Sequence, residues 1–177
     1  MISLKAKAIT QINAQVLVRF FILAGVATLL PFYVHTQWLT GPIINAVLIL
    51  TLFLVGIRAA LILCLVPSMV ALGSGLLPAI LAPIVPFIMM GNALLVLAVD
   101  WFYNNLLDSN RGYFLGLFTG ALIKFLFLYS SVIIISRLLI KQELALKVAQ
   151  IMSWPQLATA VIGGVIAYLF LKKLKKI

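Results

Sequence analysis

One lysine lies in the middle of an apolar run long enough to cross a bilayer: Lys124, within GYFLGLFTGALIKFLFLYSSVIIISR from Gly112 to Arg137. An ammonium placed at membrane depth costs on the order of 2.5–3.5 kcal/mol on insertion scales, so a partner, a water-filled cavity or a bound anion must accompany it. Gly112, Gly116, Gly120 and Lys124 recur at intervals of four. On a helix turning about 100° per residue they form one stripe. Glycines in such a stripe let a neighbouring backbone approach closely, which aims the lysine into a helix bundle and away from lipid. The chemistry on offer is reception of a carboxylate or another electron-rich group of a small ligand. The structural alternative is an ammonium satisfied by backbone carbonyls or water.

A few other polar residues share the apolar runs. Asn92 falls near the midpoint of its run, at a depth similar to Lys124, and Asn45 lies a turn inside another. Each is suited equally to a ligand contact and to helix-to-helix hydrogen bonding. Trp38 and Trp154 flank runs at one interface, where tryptophan anchors a protein in the membrane and where two rings also wall a pocket. Ser153 and Gln156 match S-x-x-Q, a capping box, so Gln156 as a ligand contact is the weaker of its two readings. Ser131 joins Lys124, Asn92, Asn45, Trp38, Trp154 and Gln156 as a candidate substrate contact. Arg19 and Asp100 are expected at similar depth, Asp100 lying about 12 Å from Asn92 by helical rise, and are expected to compensate each other as a structural ion pair. Ala24 and Thr28 supply a small-xxx-small pair for packing or docking.

The elements that position these groups follow from composition. Of 177 residues, 65% are hydrophobic, against roughly 45–50% in soluble domains, and mean hydropathy is +1.26. The chain is an integral membrane protein in contact with the lipid bilayer. Its net charge of +10 sits mostly at the ends of apolar runs, with no basic groove interleaved with aromatics, so no nucleic-acid partner is expected. The single cysteine, Cys64, allows no internal disulfide, and one thiolate cannot hold an iron–sulfur cluster. His35 is the only histidine and reads as a solvated loop residue. No metal or cofactor is expected. The glycine-rich spots match no P-loop, so any ATP hydrolysis belongs to another chain. An intramembrane enzyme lacks a nucleophile–base pair, and no catalytic activity is expected.

Hydropathy and turn signals predict an all-α, polytopic bundle of six spans, approximately 12–33, 42–56, 59–77, 84–103, 112–139 and 154–171, forming one transmembrane domain. Residues 35–39 read as the first loop, with Pro42 in the first turn of the second span. The third span is kinked at Pro67, and the proline-interrupted stretch 77–83 reads as a re-entrant or cavity-lining loop. Residues 141–151 suit a short helix lying in the interface. Lys5, Lys7, Arg58, Arg111, Lys172, Lys173, Lys175 and Lys176 collect on one side, against Arg137, Lys141 and Lys147 on the other. By the positive-inside rule both termini are cytoplasmic.

The stretches TGPIINAVLIL at 40–50, LLPAILAPIVPFIMMGNALLVL at 76–97, IKFLFL at 123–128 and MSWPQLATAVIGG at 152–164 resemble a group of small bacterial membrane proteins often labelled "iron hydrogenase". That group is in turn similar to the substrate-binding S components of energy-coupling factor (ECF) transporters. One cysteine rules out the hydrogenase chemistry. The S-component resemblance implies a six-helix bundle in the bacterial plasma membrane that takes up a vitamin-like molecule or metal ion near its outer face. It also implies docking through the first helix on a transmembrane coupling subunit driven by two ATPase subunits. The alanine-rich first-helix face common in S components is approximated here only by Ala24 and Thr28. A fixed positive charge favours an anionic or zwitterionic small-molecule substrate over a metal cation. The alternative expectation is a non-catalytic assembly or anchor subunit whose glycine stripe and Lys124 bind another membrane subunit.

Overall fold

The structure, a computed structural model, describes residues 14–34, 36–75, 79–105, 110–138, 149 and 152–177. Its helices are α1 (Ala14–Tyr33), α2 (Gln37–Leu54), α3 (Ile57–Gly73), a short 3-10 helix (Ala79–Ile84), α4 (Val85–Asn105), α5 (Asn110–Leu138) and α6 (Trp154–Lys173). No strand occurs among the described residues. Five helices, all but α3, are long and apolar enough to cross a membrane. With 17 residues, α3 reaches about 25 Å by helical rise, short of a ~30 Å hydrocarbon core. Large apolar side chains such as Phe21, Ile22, Leu126, Leu169 and Phe170 are exposed on the outer faces. Water would not tolerate so much contiguous apolar surface, and lipid does. The chain is therefore an all-helical, multi-pass membrane protein.

Lipid gives no hydrophobic drive to helix association, so close packing must hold the bundle, and glycine decides where packing is closest. The most extensive contacts join α4 to α5 and α2 to α6. Gly116 and Gly120 of α5 lie against α4: a Cβ at Gly116 would stand 2.9 Å from Val99 Cα, and one at Gly120 2.9 Å from Ala98 Cβ. Gly112, on the same stripe, is buried. The α2–α6 contact uses glycines from both sides. A Cβ at Gly163 would stand 2.5 Å from the Pro42 carbonyl oxygen and 2.7 Å from Asn45 Cβ, and one at Gly41 would stand 2.9 Å from Thr159 Cβ. Gly164 turns toward Leu117, and its carbonyl accepts a 2.6 Å hydrogen bond from the Tyr113 hydroxyl.

Several boundaries differ from those the sequence suggests. Helix α2 begins at Gln37, so Trp38 and Leu39 are helical and Pro42 sits in the second turn. Pro31, Pro42 and Pro67 all lie inside helices. Proline is tolerated there because ending a helix at membrane depth would strand more backbone than the one missing N–H. The described residues of the proline-rich stretch form the 3-10 helix Ala79–Ile84. The capping box does not form through its serine: Ser153 makes no side-chain cap bond, and the Gln156 N–H instead donates to the Ser153 carbonyl at 3.0 Å. The proposed interfacial helix at 141–151 lies outside the described residues except for Ala149, which is helical.

Two apolar clusters form the interior. The larger takes in Leu48, Ile49, Leu63, Val96, Leu117 and Leu171, and the smaller Ile84, Leu128, Val132, Ile135 and Met152. Along α5 the boundary falls between Ala121 and Leu128. Lys124 occupies it. At the far end of the larger cluster, Phe53, Tyr103, Tyr113 and Tyr168 pack ring on ring, with Phe53–Tyr103 centroids 4.9 Å apart and Tyr113–Tyr168 centroids 5.4 Å apart.

Candidate functional site

Lys124 is 2% exposed, and its Nζ donates to Asn45 Oδ1 on α2 and to Asn92 Oδ1 on α4, both at 2.7 Å. The stripe that brings Gly116 and Gly120 against α4 carries the lysine to the same neighbour, one turn further on. Asn45 is held in turn: its Nδ2 donates to the Gly41 carbonyl at 2.9 Å, which turns its oxygen toward the ammonium. Bonds to a charged donor are worth about 1.5–3 kcal/mol each, enough together to offset much of the cost of placing the lysine there. Both partners are neutral amides. They accept two of its three N–H donors without cancelling its charge.

Beside this triad is a cavity of about 300 Å³. Lys124, Asn45, Asn92 and Ser68 line it, together with Gln37, Thr40 and Gln156. Pro31, Ile44, Pro67, Ala71 and Ile88 supply apolar wall. These residues come from the end of α1, the start of α2, the later part of α3, the starts of α4 and α6, and the middle of α5. The cavity therefore lies toward the end of the bundle opposite the C-terminus, and the ring cluster of Phe53, Tyr103, Tyr113 and Tyr168 fills the other end. A second depression of about 480 Å³ runs beside Arg111, Phe114 and Phe118. A single helix, α5, lines it, so it is a groove on the lipid side and contains none of the buried polar groups.

The structure thus brings together Lys124, Asn45, Asn92 and Gln156. It keeps three other candidates out of the cavity. Trp38 and Trp154 are half or more exposed and pack on each other, with centroids 5.1 Å apart, joining the starts of α2 and α6 at the rim. Ser131 is buried and donates to the Phe127 carbonyl of its own helix at 2.7 Å. The expected compensation of Arg19 by Asp100 does not form. Arg19 is exposed on α1, which packs on α2 and α3, whereas Asp100 on α4 accepts a 2.9 Å hydrogen bond from Asn104. Thr28 donates to the Ala24 carbonyl at 2.8 Å, so its hydroxyl is bonded within α1.

Three cavity residues escape a reading by sequence. Gln37 falls in what reads as the first loop, and Thr40 at the start of the second span, two residues before Pro42. Ser68 is a lone hydroxyl in an apolar run, and its position immediately after Pro67 was the available signal. Among the described residues, no group of three or more His, Cys, Asp or Glu side chains is placed to hold a metal ion.

No protein family, curated protein or solved structure matches this chain. The class supported by the fold and the site together is a multi-pass helical membrane protein with a buried cationic cavity.

Proposed function

We propose that this chain is the substrate-capture subunit of a bacterial importer, an S component of the ECF type, residing in the cell membrane and taking up a small anionic or zwitterionic, vitamin-like molecule. The observation that carries the proposal is the Lys124 ammonium, which faces a 300 Å³ cavity while two neutral amides hold it in place. Such a volume lies at the low end of the range of about 300–1,000 Å³ for small-molecule sites. In this reading α3 completes a six-span bundle. Arg58, Arg111 and the exposed Lys172, Lys173, Lys175 and Lys176 lie at the end away from the cavity. The positive-inside rule makes that end cytoplasmic and turns the cavity outward. Gln37, Thr40 and Gln156 form the entrance, and release follows when a coupling subunit and ATPase subunits change the bundle's orientation or open it.

Gly116 and Gly120, part of the surface on which the alternative of a membrane assembly subunit relies, pack against α4, which favours the capture reading. Native mass spectrometry of the purified protein tests the capture function. A small molecule should co-purify with the wild-type chain, and Lys124→Met should weaken its retention roughly ten- to hundredfold, the equivalent of one charge-assisted hydrogen bond. A wild-type protein that carries no small molecule from cells, or one whose bound molecule is unaffected by Lys124→Met, would count against it.

A further inference from the structure

The donors and charges around the cavity narrow the substrate class, and this narrowing rests on the capture function proposed above. An ammonium has three N–H donors, and Lys124 uses two of them on Asn45 and Asn92. The Asn92 oxygen is thereby occupied. Its NH2 makes no hydrogen bond to the described residues and, since no buried side-chain nitrogen or oxygen lacks a partner, it opens onto the cavity that Asn92 lines. Ser68 likewise lines the cavity and bonds to none of the described residues. Asn45 also lines the cavity, but its NH2 is tied to Gly41 and its oxygen accepts from the lysine. What the deep end offers is mainly donors: one ammonium N–H, one amide NH2 and one hydroxyl, the last able to accept as well. Each amide oxygen already accepts one bond from the ammonium.

A donor-rich surface carrying a positive charge is best matched by an acceptor-only group, which an ionised carboxylate is and an amide or ammonium is not. Charge then sets the count. Among the described residues Lys124 is the one charged side chain lining the cavity, and no carboxylate lines it. A phosphate monoester brings about −1.5 to −2 and would leave negative charge buried without a partner. The ammonium of an amino acid would find only neutral amides. We infer that the site takes a small monocarboxylate bearing no second charge. Its carboxylate lies against Lys124, Asn92 and Ser68, and its uncharged remainder lies between Ile44, Ile88 and Pro67 toward Gln37 and Gln156. The space matches that of about ten water molecules in the liquid, which limits the remainder to a single ring or a short chain.

Four probes sharing one ring separate the possibilities: benzoate, benzamide, phenyl phosphate and phenylalanine, each titrated into the full-length protein in detergent while the thermal unfolding midpoint is followed. Benzoate should raise the midpoint at a concentration at least tenfold below the other three. Lys124→Met should abolish that rise, and Ser68→Ala, a small change at a half-buried position, should weaken it severalfold. If phenyl phosphate or phenylalanine stabilises as well as benzoate and does so through Lys124, the charge count is wrong. The monocarboxylate assignment then falls while capture stands. If none of the four gives a Lys124-dependent shift, the assignment falls outright, and the co-purification experiment decides the fate of the capture function separately.

Discussion

At the residue scale, the choice of amides over acids around Lys124 has a consequence for binding. An aspartate at position 92 would pair with the ammonium and leave the cavity neutral. The asparagine leaves the positive charge available to a guest. Asn92→Asp should therefore keep the fold, with an unfolding midpoint at or above that of the wild type, and lose the co-purifying molecule. Retention of the molecule by that variant would show that charge is not what holds it. Asn92→Leu removes one acceptor from a buried cation and should lower stability by roughly 1.5–3 kcal/mol. Adding Lys124→Met should recover part of that loss, because no charge is then left unpartnered, and thermal unfolding of the single and double variants measures the recovery. Lys124, Asn92 and Asn45 were legible as candidates because polar residues inside apolar runs are few. Their mutual contact was not, since they lie on three helices and the hydrogen bonds span 79 and 32 residues of chain.

At the element scale, α6 sits between α2 and α5 because Gly163 and Gly164 present no side chain to either. The Gly163 face matters to the site, since it meets Asn45 Cβ and the backbone of Pro42 and Ala46. Gly163→Ala should force α2 and α6 apart, costing about 1–3 kcal/mol by overpacking and displacing Asn45 from Lys124, with substrate retention falling in step. Gly25→Ala is the matched control: a Cβ there meets nothing within 4 Å. It should leave both stability and retention unchanged. The glycine stripe on α5 stands out in the sequence through its regular spacing. The Gly41–Gly163 contact does not, because it pairs single glycines on two helices that are distant in sequence. The Arg19–Asp100 pairing failed for the same reason, since matching depth says nothing about which helices are neighbours.

At the scale of the whole molecule, orientation decides whether the cavity is an uptake site. Thr36 is exposed at the cavity end and Lys176 at the other. With Cys64→Ala as background, Thr36→Cys in intact cells should react with a membrane-impermeant maleimide. Lys176→Cys should react only after permeabilisation. The reverse pattern would place the cavity on the cytoplasmic side and exclude capture from outside. The packed rings of Phe53, Tyr103, Tyr113 and Tyr168 occupy the C-terminal end of the bundle, away from the cavity.

Composition and hydropathy alone determined that this chain is helical and lives in a membrane. A bilayer accepts few other ways of satisfying a backbone, and apolar runs of the necessary length are plain to see. The same local logic identified the buried lysine and the two asparagines. Only the tertiary structure decided that these three meet beside a cavity, that the tryptophans and Ser131 stand outside it, and that Ser68, Gln37 and Thr40 belong to it. Helix neighbours are chosen by close packing between residues far apart in sequence, and that choice leaves no periodic trace along the chain.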